Sequence, residues 1–216
     1  MDTIETIHQR HATRAFKDDT ISNELLKSII ADAQTAPSWG NSQPWKVTIA
    51  TGESLSTIKN NFNEASKNNL MEDADLSKAH RGDFSSFASQ NMGDWVGTFH
   101  PIITADSDTY WDSRRSLYHA PAIAYLTIGK NPNSWSIYDL GAFSQTLMLS
   151  ATARGVQSLV SYELIKYPDI IRDALKIPSD QIIAIGVALG YEKTDKVLNQ
   201  FRSHRINVDD ILNIVD

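Results

Sequence analysis

Apolar positions recur along this chain with two periods, and the alternation between them predicts a layered fold of helices and strands. Residues 4–11 form a short helix. Ser22 is placed as an N-cap, and Glu24 complements the first turn of the helix that follows. Leu25, Leu26, Ile29, Ile30 and Ala33 recur at helical spacing, so one face of residues 23–34 is core. Residues 45–50 alternate, with Val47 and Ile49 on one side, as a half-buried strand does. Residues 54–69 read as a polar helix with an apolar stripe of Leu55, Ile58 and Phe62. Residues 122–128 are a continuous apolar run of strand length, which predicts a central strand. A long helix spans roughly 137–154, starting near Ser136, and is apolar enough to be buried in the monomer or in a subunit interface. Gly155 is placed to end it in left-handed backbone. Residues 156–160 then predict a short strand, 167–175 a helix ending before Pro178, and 181–190 the strongest strand of the chain.

Residues 70–112 interrupt this rhythm. Ser, Asn, Asp and Gly punctuate them, yet Phe84, Phe87, Met92, Trp95, Val96, Phe99, Tyr110 and Trp111 recur. A disordered linker is poor in aromatics, so the segment predicts an ordered, partly helical insertion packed over the domain. A lid over a pocket and a flap without functional contact both fit it. The whole chain, residues 1–216, reads as a single α+β domain carrying that insertion.

With 216 residues, 41% hydrophobic and 21% charged, a packed core fits easily. The net charge of −6 and the lack of a dense Lys/Arg cluster argue against a nucleic-acid partner. Cysteine is absent, which excludes disulfides, thiolate metal sites and cysteine nucleophiles. The acidic N-terminus has no secretory h-region and no run approaches the roughly 18 apolar residues of a spanning helix, so no membrane partner and a cytoplasmic location are expected. No GxGxxG follows a strand, no Walker A sequence exists, and no GxSxG elbow is present. The six histidines are scattered, so no metal site is indicated.

Three polar clusters remain. Arg10 and Arg14 lie near the start with His11 between them, and Arg202 and Arg205 lie near the end. Between them, Ala36-Pro37-Ser38-Trp39-Gly40-Asn41-Ser42-Gln43-Pro44-Trp45 is a loop stiffened by two prolines and lined with uncharged hydrogen-bonding groups. Taken singly, the loop is equally a turn whose second tryptophan is core, and Arg10/Arg14 a solvated pair. Taken together, arginines from distant segments suit a phosphate, and the loop suits a planar ring with polar edges. A phosphate at one end and a heterocycle at the other describe flavin mononucleotide, FMN.

The order Arg-His-x-x-Arg-x-Phe, then Ala-Pro-Ser-x-x-Asn-x-Gln-Pro-Trp about twenty residues on, resembles the FMN-dependent nitroreductase family. So do the long mid-chain helix, Gly155-Val156, the strand ending Gly186-Val187-Ala188-Leu189-Gly190-Tyr191, and the Arg-rich tail. The resemblance covers nearly the whole chain outside about 70–110. It implies an α+β nitroreductase-like fold, with a central, mostly antiparallel sheet flanked by helices. It also implies a homodimer with the long central helix at its interface and one FMN in each of two interface clefts.

Residue by residue, the resemblance puts Arg10, His11 and Arg14 along the phosphate and ribityl chain, Arg14 reaching towards the ring. Arg205 closes on the phosphate, with Arg202 or Ser203 beside it. Ser38, Trp39 and Asn41 approach the same flavin from the partner subunit, and Gln43 fixes the loop. Where the family has Asn-x-x-Lys before the central strand, this chain has Asp112-Ser113-Arg114-Arg115, which carries Asp112 and Arg115 over to the ring edge. Where the family often has Glu-Gly, here Tyr162-Glu163, a backbone N–H from either residue contacts flavin N5. Trp39, Gly40, Trp95, Phe99 and Trp111 are candidates to line the acceptor cleft, though each also fits an ordinary core position.

The activity implied is hydride transfer from NADH or NADPH through flavin N5 to a nitroaromatic or quinone acceptor, by a ping-pong sequence. Arg14 or Arg115 would stabilise the reduced flavin, and no side chain acts as a nucleophile. Two other readings share the fold: a different FMN chemistry, such as a dehydrogenase or dehalogenase, and a flavin-binding sensor with little turnover.

Overall fold

The computed structural model describes residues 2–215. Four strands form one antiparallel sheet in the order β1-β2-β4-β3, where β1 is Lys46–Thr51, β2 Ala122–Gly129, β3 Gln157–Val160 and β4 Gln181–Gly190. The centre of the sheet is β2 against β4, the two most apolar segments of the chain. Their side chains alternate between two cores. Ile123 and Tyr125 of β2 enter a cluster with Leu55, Ile58, Phe62 and Ile171, while Ala124, Leu126 and Ile128 enter one with Leu26, Ile29, Phe143 and Leu147. An antiparallel strand that is usually wet on one face therefore reads as continuously apolar here, because helices cover both faces.

Those helices are α3 (Gly52–Lys67) and α7 (Pro168–Leu175) on one side, and α2 (Asn23–Ala33) and α6 (Ser134–Ala153) on the other. Ser22 caps α2 as expected, its hydroxyl accepting from Leu25 N–H at 3.2 Å. The long helix starts at Ser134, three residues before 137, because Asn133 is the N-cap and accepts the Ser136 N–H at 2.9 Å. Gly155 takes φ +75° at its end. A short α1 (Thr3–Gln9) precedes α2, and α8 (Val197–Gln200) precedes the tail.

The 70–112 region carries helix that runs on to residue 115. It contains α4 (Ser86–Ala105) and α5 (Ser107–Arg115). Before them, a strap is tied down by Asp73 N–H on Lys166 C=O at 3.1 Å and by Asp75, which accepts from the Arg172 guanidinium and from Ile183 N–H at 2.6 Å. Among the described residues no helix is long and apolar enough to cross a membrane.

Gly186 and Gly190 are spaced for close packing. A Cβ on Gly190 would lie 2.7 Å from Phe16 Cδ1 and from Pro121 Cδ, and one on Gly186 2.7 Å from Leu164 Cβ. Phe16 is fully buried and Pro121 is rigid, so neither can step aside. Gly190→Ala is expected to cost about 1–3 kcal/mol, the usual penalty of an overfilled core. Urea denaturation reads this directly, and a midpoint equal to the parent's would contradict the packing described.

Candidate functional site

The two arginine segments, 190 residues apart in sequence, meet at one cleft. Arg10, Arg14, Arg202 and Arg205 line it together with His8 and His11, in a space of about 510 Å³. Asn199, almost fully buried, makes the junction. Its side-chain oxygen accepts the N–H groups of Arg14 and Ala15 at 2.6 and 3.1 Å, and its amide nitrogen donates to Ala15 C=O at 2.7 Å and Lys193 C=O at 2.9 Å. His11 is fixed by Gln9 C=O at 2.8 Å and Glu192 Oε1 at 3.0 Å. Arg202 and Arg205 turn back onto the carbonyls of their own tail, Arg205 Nη1 donating to Ser203 and His204 C=O, each at 3.0 Å.

Among the described residues, no aspartate or glutamate lines this cleft. Burial, and after it the charge of Arg205, lowers the pKa of the Arg10 guanidinium from its ordinary value. Two cations press on each other without an anion between them. A phosphate is the group that such a donor set fits.

Arg14 leads from this basic pole into a second cleft, about 520 Å³, whose walls include Trp95, Phe99, Tyr110, Tyr118 and Tyr162. Its guanidinium carbon stands 4.4 Å from the Phe99 ring centre and 5.9 Å from that of Phe201. Trp95 stacks on Phe99 and donates its indole N–H to Ser203 Oγ at 3.1 Å, so α4 binds the tail to the cleft. The two clefts share Arg14. Together they offer a cationic end and an aromatic end, the two ends that FMN needs.

At the far wall, Glu163 is buried between two cations. Arg114 Nη2 donates to Glu163 Oε2 at 2.5 Å, and the Lys166 ammonium contacts Oε1. The Glu163 N–H is engaged by Ser161 Oγ at 3.2 Å, which leaves the neighbouring Tyr162 N–H as the less committed backbone donor of the turn.

Asp112 and Arg115 do not reach this cleft. They share one face of α5, being three apart, and Arg114 lies on another. Asp112 pairs with His119 Nε2 at 3.0 Å, and Arg115 lines a separate depression with Lys59, Asn60 and Asn63. Arg114, between them in sequence, is the residue of this segment that lines the cleft with Tyr110. Trp111 is also outside the lining; its ring lies 5.1 Å from the Arg114 guanidinium, half-exposed.

No residue of the Ser38–Gln43 loop is among those that line the two clefts. The loop is rigid nonetheless. Gln43 donates to Asn41 Oδ1 at 3.0 Å, accepts from Gln34 at 2.6 Å, and gives its backbone N–H to Ser38 Oγ at 3.0 Å. Gly40, Asn41 and Gln43 all have positive φ. Trp45 is core, packed 4.8 Å from Phe143 with its N–H on Gln34. Trp39 is 65% exposed and packs at a tilt 4.9 Å from Trp135, while its backbone N–H donates to buried Asp139 at 3.0 Å. Asp139 hides inside an apolar helix, where sequence gives no sign that it anchors a loop.

The model of the Nitroreductase family matches residues 7–191. A 4-nitrobenzoate reductase of Pseudomonas putida is 30% identical over 211 residues, covering 92% of this chain and 89% of the relative. Nitroreductase NfnB of Mycolicibacterium smegmatis is 26% identical over 94% of this chain and 88% of its own. Among solved structures, the FMN-dependent nitroreductase NfnB from Mycobacterium smegmatis, in complex with NADPH, superposes with a TM-score of 0.91 at 24% identity, covering 99% and 98% of the two chains. The FMN- and NADPH-dependent NfnB of a Sphingopyxis strain gives 0.88 at 22% identity over the whole of both. With the family model spanning most of its length and a fold shared end to end with these enzymes, the chain belongs to the nitroreductase family.

Proposed function

We propose that this protein reduces nitroaromatic compounds with NADH or NADPH, using FMN held across the two clefts joined by Arg14. The observation that carries the proposal is the basic pole without a carboxylate, opening into an aromatic cleft of ring size. When bound there, FMN supplies the two-electron chemistry that none of the chain's own side chains can perform.

Arg10, Arg205 and Arg202 neutralise the phosphate, and His11 borders them. Arg14 reaches from that pole towards the ring, placed by Asn199. A cation at this point stabilises negative charge on a reduced ring more strongly than in water, because the site is partly buried. The Tyr162 N–H is a donor for the ring's central edge. Trp95 and Phe99 supply the flat apolar wall against which an aromatic acceptor stacks. Donor and acceptor taking turns at this one aromatic cleft is the ping-pong order, and a quinone is as flat as a nitroaromatic.

Trp39, Trp135 and Tyr138 form an exposed aromatic cluster, with Ile4 and Ile7 also exposed on α1. Apolar area of this kind suits a second copy of the chain. In that homodimer the partner's loop, carrying Ser38, Trp39 and Asn41, completes the flavin cleft. Sedimentation at twice the chain mass is expected, and a monomer with bound FMN would defeat this part of the reading. The remaining expectation, a cytoplasmic setting, agrees with the need for reduced nicotinamide.

The visible spectrum of the purified protein tests the whole. Oxidised flavin bands are expected, bleaching under anaerobic NADH or NADPH and returning with a nitroaromatic. A protein without bands that takes up no added FMN would overturn the reading at its first step. Bands that ignore both donors would keep the cofactor and remove the reductase activity.

A further inference from the structure

Three consecutive residues, none of them glycine, have left-handed backbone: Leu117 (φ 49°), Tyr118 (φ 62°) and His119 (φ 57°). Ordinary side chains avoid this region, and a run of three persists only where the surroundings enforce it. Here Leu117 is locked in the core, Phe16 N–H donates to Tyr118 C=O at 3.3 Å, and His119 is tied to Asp112. The result of this enforced turn is the aim of one side chain. Tyr118 lines the aromatic cleft, and its hydroxyl lies 2.8 Å from Ser161 Oγ.

The two hydroxyls hold two protons. Ser161 Oγ already accepts the Glu163 N–H, and one hydroxyl proton makes the Tyr118–Ser161 link. Among the described residues the second proton has no acceptor, and both residues line the cleft. The carboxylates of the same wall are otherwise engaged. Glu163 is held by Arg114 and Lys166, and Glu72 lies 3.6 Å from Lys166 and 3.8 Å from Lys78. Burial raises the pKa of Tyr118, which keeps the phenol protonated at rest, while the nearby Arg114 charge favours the phenolate once the proton has gone.

We propose that Tyr118, through its pair with Ser161, is the proton donor for reduction of the acceptor's nitro group. This rests on the reading of the cleft as a nitroaromatic reduction site. The step balances as R–NO2 plus a hydride equivalent plus one proton, giving R–N=O and water. The hydride equivalent, two electrons and one hydrogen, comes from reduced nicotinamide by way of FMN. The hydroxyl pair supplies the proton to the departing oxygen, the N–O bond breaks, water leaves, and solvent returns the proton to the pair.

Tyr118→Phe keeps the ring and removes the acid. Holoenzyme of the parent and the variant is reduced by NADPH, then mixed with either 4-nitrobenzoate or ferricyanide, and flavin reoxidation is followed. Ferricyanide accepts electrons and needs no proton. The variant is expected to lose about tenfold or more in its rate with the nitro compound, within the usual worth of a positioned acid, and to keep its rate with ferricyanide. It is also expected to bind the nitro compound a few-fold more weakly in the oxidised state, where no turnover occurs. An unchanged nitro rate, an equal loss with both acceptors, or an unchanged affinity overturns the proposal. A parent protein that carries FMN but ignores nitro compounds fails the functional reading instead, and this proposal with it.

Discussion

Purified Arg10→Ala/Arg205→Ala protein is expected to contain no FMN and to bind added FMN at least about 100-fold more weakly than the parent. Each of these guanidiniums offers charge-assisted hydrogen bonds to a phosphate, worth roughly 1.5–3 kcal/mol apiece, and every 1.4 kcal/mol is tenfold in affinity. Arg10 belongs to the first segment of the chain and Arg205 to the last, so their joint removal takes one cation from each side of the cleft. The fold has no need of them. Among the described residues Arg205 bonds only the exposed carbonyls of its own tail, and Arg10 is held at a cost of burial and of repulsion from Arg205. Thermal stability of the apo-variant is therefore expected to match or exceed that of the apo-parent, which separates a lost ligand from a lost fold. Equilibrium titration by quenching of flavin fluorescence gives the affinities. FMN retained at the parent's affinity would remove the phosphate from this cleft, and the functional reading with it.

What the sequence disclosed follows a physical divide. Elements whose own residues set their shape were legible: the buried strands as apolar runs, the Ser22 cap and the left-handed Gly155. The Arg10–Arg14 segment and the Arg202–Arg205 tail could be read as partners because arginines have few reasons to gather except a shared anion. The side of a helix that a residue occupies depends on where the helix begins, and α5 has no strong apolar stripe to mark its start. So Arg115 was indicated and Arg114 faces the cleft. Asp139 and Asn199 were hidden for another reason. Each is a small polar residue whose partners lie about 100 or 185 positions away, and nothing local marks a buried side chain that serves distant backbone. The left-handed turn at Leu117–His119 was hidden more deeply still, since its residues are not the glycines or asparagines that usually announce such backbone.

Glu163→Ala is expected to destabilise the protein by about 3 kcal/mol or more, because it breaks a buried ion pair from one side only. Lys166 is nearly inaccessible, with Glu163 as its near partner and Glu72 as a looser one at 3.6 Å. Removing the carboxylate leaves that ammonium buried with Glu72 as its looser anion and the Tyr167 ring 5.1 Å away. Arg114 is a third exposed and can turn partly to water, which holds the loss near the lower end of the range for such changes, about 3–5 kcal/mol. For a chain of this length the melting temperature is expected to fall by roughly 6–12 °C, at about 2–4 °C per kcal/mol. Replacing both ends of the buried contact, as Glu163→Leu/Lys166→Met, removes the uncompensated charge and is expected to recover most of the loss, since apolar pairs of similar size replace buried ions at little cost. Calorimetry on the parent, the single and the double variant decides. A single variant as stable as the parent would mean that Lys166 does not depend on Glu163. A double variant no better than the single would mean that Glu163 holds the turn through its shape and not its charge. The pair's position gives the result a functional edge. The carboxylate that neutralises Lys166 also anchors Arg114, whose charge lies beside Tyr118, so recovery of stability in the double variant without recovery of nitro-group reduction would show that the buried charge is kept for the cleft and not for the fold.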